Sequence, residues 1–132
     1  MDKFNRTLAG FEPMVLSIFR IMTGLLLFQY GVAKLLKFPV LPYFANIPPL
    51  ITTAGVLELV GGALLVIGLF TRPVAFVLSG LMAFAYFIAH APRGFYPIVN
   101  AGELAALYCF VFLYFAAAGG GAWSVDALRK NA

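Results

Sequence analysis

LITTAGVLELVGGALLVIGLF, residues 50–70, carries a single charge, Glu58. As a helix this run is about 30 Å long, the thickness of a bilayer's hydrocarbon core. It predicts a transmembrane helix. Three further stretches read the same way. Residues 15–33 are apolar apart from Arg20, Gln29 and a few small polar residues. Residues 74–89 hold no charge, nor do residues 104–118, and Ala101 and Gly102 extend the last run back past Glu103. The expected spans are 14–36, 50–70, 73–91 and 101–118, within one domain covering residues 1–132. Four such helices use about 80 residues, and the remainder suffices for two tails and three links. The fold class expected is all-α: a polytopic membrane protein built as a four-transmembrane-helix bundle.

Composition agrees. The 132 residues include 9 Lys plus Arg and 5 Asp plus Glu, so 11% are charged. Soluble domains hold roughly 25%. With 63% apolar residues and a mean hydropathy of +0.97, too few polar groups exist to cover a small soluble monomer. Disordered chains have the opposite composition. A lone cysteine, Cys109, excludes an internal disulfide and a Cys-x-x-Cys motif; it reads as inert packing in the fourth helix. One His and one Cys supply no set for a tightly held metal or haem, and no basic block suggests nucleic acid as a partner.

The punctuation divides the chain as the spans do. Pro39, Pro42, Pro48 and Pro49 prevent a continuous helix over residues 38–49. That loop is apolar enough to lie in the interface or dip between helices. Pro73 suits the first turn of the third helix. Gly119-Gly120-Gly121 stops the fourth, and Trp123 falls where Trp favours headgroups. The first run is long for a signal peptide, is interrupted by Arg20 and lacks a small-residue cleavage site, so it reads as a retained span. With four spans, Lys3, Arg6, Arg72, Arg129 and Lys130 share one side, against Lys34, Lys37 and Arg93 on the other. Positive loops stay inside, which places both termini in the cytoplasm.

Charges inside apolar spans cost at least ~2.5–3.5 kcal/mol each and default to functional candidates. Arg20, Gly24, Leu27, Gly31 and Lys34 share one face of the first helix, and Gly55, Glu58 and Gly62 share one face of the second. Packing these glycine-lined faces together puts Arg20 and Lys34 on either side of Glu58. His90 ends the third helix, and Asn100 and Glu103 begin the fourth, on the same outer side. Each residue also has a structural reading. Arg20 and Glu58 make an ion pair that fixes helix register. Lys34 snorkels to headgroups. Asn100 and Glu103 form a capping box. His90 is an interfacial hydrogen-bonding residue.

The run Arg20-x3-Gly24, Phe28-x2-Gly31-x2-Lys34, then Glu58-x2-Gly61-Gly62 leading into Gly68-Leu69-x-Thr71-Arg72, resembles the DoxX family. Met82-x2-Ala85, Asn100-x-Gly102-Glu103 and Trp123-Ser124-x-Asp126 extend the resemblance over nearly the whole chain. It implies a small four-helix protein of the bacterial inner membrane. Its relatives include a subunit of a membrane thiosulfate:quinone oxidoreductase and membrane partners of redox enzymes.

Three functions follow as expectations. The first is an accessory subunit linked to redox or quinone chemistry. In it Glu58 and Glu103 act catalytically by moving protons, while Arg20, Lys34, His90 and Asn100 bind the ligand. A quinone is the cofactor this reading implies. The partners are the lipid bilayer, a redox enzyme or other subunit, and a second copy of the chain. The second function is a non-catalytic membrane anchor or assembly partner. The third is a small proton-coupled transporter, disfavoured because its single essential Glu ordinarily sits in the first helix.

Overall fold

The computed structural model describes residues 1–131, with side chains up to Arg129; the side chain of the terminal cation Lys130 lies outside the described residues. Every regular element described is helical. A short helix α1 (Asp2–Gly10) leads into α2 (Glu12–Leu35), and α3 (Pro49–Ile67) follows the proline-rich loop. Next comes α4 (Thr71–Ala85), continued by a π-helical turn (Tyr86–His90) and a 3-10 turn (Ala91–Arg93). A single turn α5 (Pro97–Asn100), α6 (Glu103–Ala118) and α7 (Val125–Asn131) complete the chain.

α2, α3 and the continuous segment Thr71–Arg93 are long and apolar enough to cross a membrane. α6 has 16 residues, about 24 Å of helix, and falls short of the ~30 Å hydrocarbon core. The expected start at residue 101 fails because Ala101 adopts left-handed backbone (φ 61°). The break lets the chain turn from α5 into α6. α3 also stops earlier than residue 70. Gly68, at φ 73°, donates to the carbonyls of Leu64 and Leu65, and Leu69 donates to Leu64. This is a Schellman cap, which glycine adopts without steric cost.

Cross-helix contacts set the topology. Arg20 meets Leu65 and Lys34 meets Glu58, so α2 and α3 run antiparallel. Arg72 meets Ala117, Ser79 meets Cys109 and Asn100 meets Tyr86, so the α4 segment and α6 run antiparallel too. The Phe19 and Phe115 rings, 4.8 Å apart, bring α6 against α2. Leu27, Leu65, Leu78, Phe112 and Phe115 form the centre of the core. Large apolar side chains such as Val60, Phe76, Phe84 and Phe110 point outward and are exposed. An outward apolar surface of this extent needs lipid against it. The chain is a membrane protein.

The glycine faces meet as their spacing predicts. A β-carbon on Gly31 would lie 2.6 Å from the backbone nitrogen of Leu59, and one on Gly62 would lie 2.9 Å from the carbonyl oxygen of Gly24. The two backbones touch, the close approach that small residues permit between membrane helices.

Candidate functional site

The glycine contacts decide what happens to Glu58. Because α2 and α3 are pressed together, Glu58 is buried and its carboxylate is confined to the seam. Lys34 lies near the C-terminal end of α2, opposite it. The ammonium of Lys34 donates to Oε1 of Glu58, closing an ion pair whose side chains are 14% and 4% exposed. Lys34 therefore pairs inward instead of snorkelling to headgroups. An isolated buried charge is costly, and a cation at contact distance is what makes Glu58 tolerable there. Tyr30 and Tyr108 lie within electrostatic reach of Glu58. Above Lys34 sits the loop: the Phe44 ring centre is 5.6 Å from its ammonium, and Lys37 donates to the Phe44 carbonyl at 2.6 Å.

Arg20 does not pair with Glu58. It lies about 21 Å from Lys34 along α2, at the other end of the seam. Its Nε donates to the Leu65 carbonyl at 2.7 Å and its Nη2 to the Trp123 carbonyl at 2.8 Å. It also donates to the carbonyls of Gly120 and Val66. Leu65 and Val66 belong to the last turn of α3, where carbonyls run out of helical donors; the Leu65 carbonyl accepts from Gly68 as well as from Arg20. A cation there also complements the helix dipole. Arg20 is thus a C-terminal cap supplied by another helix. It ties α3 to the glycine loop before α7.

Asp126 does the converse for the next helix. Its Oδ1 accepts from the Phe70 backbone N–H and its Oδ2 from the Thr71 N–H, both at 2.8 Å. This capping role, missed in the sequence, gives Trp123-Ser124-x-Asp126 a structural function, with Ser124 Oγ accepting from Ala127 N–H to start α7. Burial raises the Asp126 pKa. The Thr71 and Phe70 N–H bonds outweigh that, and with Arg129 they hold the carboxyl below its ordinary value. A carboxylate with a depressed pKa adds stability that is complete above its unfolded value, near 3.8, and fades as pH falls through the folded one. Asp126→Asn should cost about 1 kcal/mol at neutral pH, as loss of a helix cap does. Melting curves of both proteins in detergent should converge as pH drops below about 4. A gap that stays constant to pH 2.5 would assign the cost to another cause.

A second polar cluster surrounds Asn100, which is 1% exposed. Its Nδ2 donates to the Tyr86 hydroxyl at 3.2 Å and the Gly94 carbonyl at 3.0 Å, and its Oδ1 accepts from the Gly102 N–H at 2.8 Å. The expected capping box is absent: α6 begins at Glu103 with Gly102 as its cap. Asn100 instead ends α5 and closes the turn on itself. His90 Nδ1 lies 3.1 Å from the Asn100 carbonyl, which can only accept, so Nδ1 carries the proton. The π-helical turn brings Tyr86 and His90 onto this cluster; such insertions often mark functional segments. Glu103 is exposed at the start of α6, where the helix dipole favours an anion.

The structure thus gathers the candidates into two groups in the half of the molecule away from α1 and α7. One is Lys34–Glu58 beside Tyr30 and Tyr108. The other is Tyr86, His90 and Asn100. No hydrogen bond joins them among the described residues, and Arg20 belongs to neither. An open cleft of ≈ 480 Å³ lies at the opposite end, beside Thr71, Arg72, Gly119 and Asp126. Its charged groups are already engaged, Asp126 with α4 and Arg72 with the Ala117 carbonyl.

Comparison with known proteins supports the same assignment. The DoxX family model matches residues 15–91. An uncharacterized protein of Haemophilus influenzae is 45% identical over 125 residues, covering 90% of this chain and 93% of that protein. No solved structure matches. The matched region begins at the lipid-facing start of α2, contains Arg20, Lys34 and Glu58, and ends just past His90; the chain belongs to the DoxX family.

Proposed function

We propose that this protein is an accessory subunit of a membrane redox system, binding a quinone-like ligand at the Lys34–Glu58 pair. The observation that carries the reading is that pair itself: a buried carboxylate and a half-buried ammonium in contact, at a part of the seam where the neighbouring buried residues are Leu27, Gly31 and Ala33 on α2 and Gly55, Gly61 and Gly62 on α3. Intramembrane ion pairs of this kind mark ligand or proton pathways more often than they add stability. Lys34 donates to a ligand carbonyl oxygen, Glu58 exchanges a proton with it, and the Tyr30 and Tyr108 rings flank an aromatic head group. His90 and Glu103, on the same half of the molecule, carry the proton onward. Electrons come from the ligand or a partner enzyme. Membership of the DoxX family supports the redox setting.

In this reading α6 completes a fourth span, both termini face the cytoplasm and the protein sits in a bacterial inner membrane. The excess of Lys and Arg near the termini supports that orientation.

Glu58→Gln keeps the shape and a hydrogen-bond acceptor but removes the ionisable group. It should insert and fold, yet lower quinone binding by the purified protein, or quinone-dependent turnover in the native complex, at least tenfold. Wild-type binding in Glu58→Gln would remove the pair from the mechanism. A second reading, a non-catalytic anchor, is favoured by Arg20 and Asp126, whose contacts serve helix ends and the loop before α7. It is supported if partner-enzyme activity needs the protein but survives Glu58→Gln and Lys34→Met.

A further inference from the structure

α1 and α2 carry an apolar stripe that no other described residue covers. Phe4, Leu8, Phe11, Val15, Ile18, Met22 and Leu25 follow steps of 4, 3, 4, 3, 4 and 3, and each is between 47% and 60% exposed. The next step of 4 reaches Gln29, which is also exposed and whose side chain makes no hydrogen bond among the described residues. On a helix of 3.6 residues per turn this stripe lies opposite the Arg20, Gly24, Leu27 and Gly31 face that packs on α3. The same spacing runs on in sequence across Phe11, the turn residue (ψ −1°) at which α1 ends and α2 begins.

Lipid-facing helix surfaces need only be apolar. They need no fixed period, and they disfavour an amide. A 4-3 spacing carried from Val15 to Gln29 along α2, ending on an amide, is also the pattern of two helices meeting side by side. Gln29 falls on the repeat at the same type of position as Leu8, Val15 and Met22. A polar residue at one such position fixes register and partner number in paired helices. Between membrane helices, where apolar contact alone supplies little drive, an amide hydrogen bond across the interface matters more. An amide is also self-complementary: one donates and the other accepts.

We propose that this stripe is a parallel homodimer interface, with Gln29 of each copy bonded to Gln29 of the other. A second copy is the occupant that matches an amide with an amide at the same depth and in the same membrane orientation. The area is adequate. Aromatic side chains carry on the order of 150–250 Å² each and aliphatic ones somewhat less, so these seven at about half exposure offer up to roughly 600 Å² per copy, the lower end of the ~600–1,000 Å² per partner of a standard interface. The inference rests on the protein being membrane-spanning and does not depend on its having a quinone site.

The test is cysteine cross-linking of the full-length protein, purified alone, in the Cys109→Ser background and reconstituted in lipid vesicles. Single cysteines replace each residue from Met14 to Gln29 in turn except Arg20, Gly24 and Leu27, and Val77 on α4 as a control. Disulfide-linked dimer should peak at positions 15, 18, 22 and 25, at least fivefold above positions 16 and 77. In a subunit-mixing assay at varied dilution, Gln29→Leu should weaken the dimer ~3- to 30-fold, as loss of an interhelical polar contact does, and Gln29→Asn should keep it. Ligand binding at Glu58 is measured on the same samples, so its failure leaves the dimer result intact. A monomer at all dilutions, cross-links without the 4-3 period, or a dimer indifferent to Gln29→Leu would each overturn the proposal, leaving the stripe to lipid or to a different protein.

Discussion

Arg20→Leu is expected to destabilise the protein by several kcal/mol. The guanidinium donates to four backbone carbonyls, those of Leu65, Val66, Gly120 and Trp123, and the side chain is fully buried. Hydrogen bonds to a charged group contribute about 1.5–3 kcal/mol each, and a buried acceptor left unpaired costs about 1–3 kcal/mol. Relaxation recovers part of this, yet even half of the sum is several kcal/mol, against a total stability of about 5–15 kcal/mol. The melting temperature in mild detergent should fall by about 10 °C or more. Arg20→Lys should recover only part, because an ammonium lacks the planar fork that reaches separate carbonyls at once.

The double variant is the sharper measurement. If Arg20 and Glu58 paired with one another, Arg20→Leu with Glu58→Leu would be milder than either alone. The structure separates them, so the two losses should add, as they do for distant sites. Recovery in the double variant would reinstate the ion pair between them.

The second large effect belongs to Gly31. A methyl group there would sit 2.6 Å from the Leu59 nitrogen and 2.7 Å from its α-carbon. Both are backbone atoms, so no side chain can rotate away. Gly31→Ala must push α2 from α3 and should cost about 3 kcal/mol, at the upper end for overpacking. The separation also parts Lys34 from Glu58, so ligand affinity should fall along with stability. Gly80→Ala is the control: nothing lies within 4 Å of a β-carbon there, and alanine favours helix over glycine. Equal melting temperatures for Gly31→Ala and wild type would show that the helices are not in contact.

Much of this was legible in the chain. The apolar runs marked α2, α3 and the α4 segment, because a bilayer selects length and composition, and both are linear properties of sequence. The glycine faces were legible for the same kind of reason: a 4-3 spacing of small residues has a direct geometric meaning on a helix. The bonding of the charges was not. Arg20 and Asp126 bind backbone carbonyls and N–H groups, which every residue has, so no partner residue flags them. The glycine spacing puts both Arg20 and Lys34 within reach of Glu58, and charge alone does not choose between them; the purely structural reading, Arg20 to Glu58 and Lys34 to the headgroups, is the one the structure reverses. The Asn-x-x-Glu spacing suggested a capping box, but Ala101 and Gly102 give the chain an extra turn before α6, and side-chain spacing does not report that. α1 is too short and too polar to register as a span; its apolar stripe appears only at helical period.

The caps at the α3–α4 turn carry a consequence for how the protein is built. Both ends of that turn are completed by groups made late, the carbonyls of Gly120 and Trp123 for Arg20 and the carboxylate of Asp126 for α4. A ribosome adding about 5–20 residues per second makes residues 71–126 over several seconds. During that interval Arg20 lacks two of its four acceptors and α4 has no acid at its N-terminus. The chain therefore cannot finish locking helix by helix as it emerges. Its closing step is the docking of residues 120–126, and any fusion placed after them must leave that segment free to fold back.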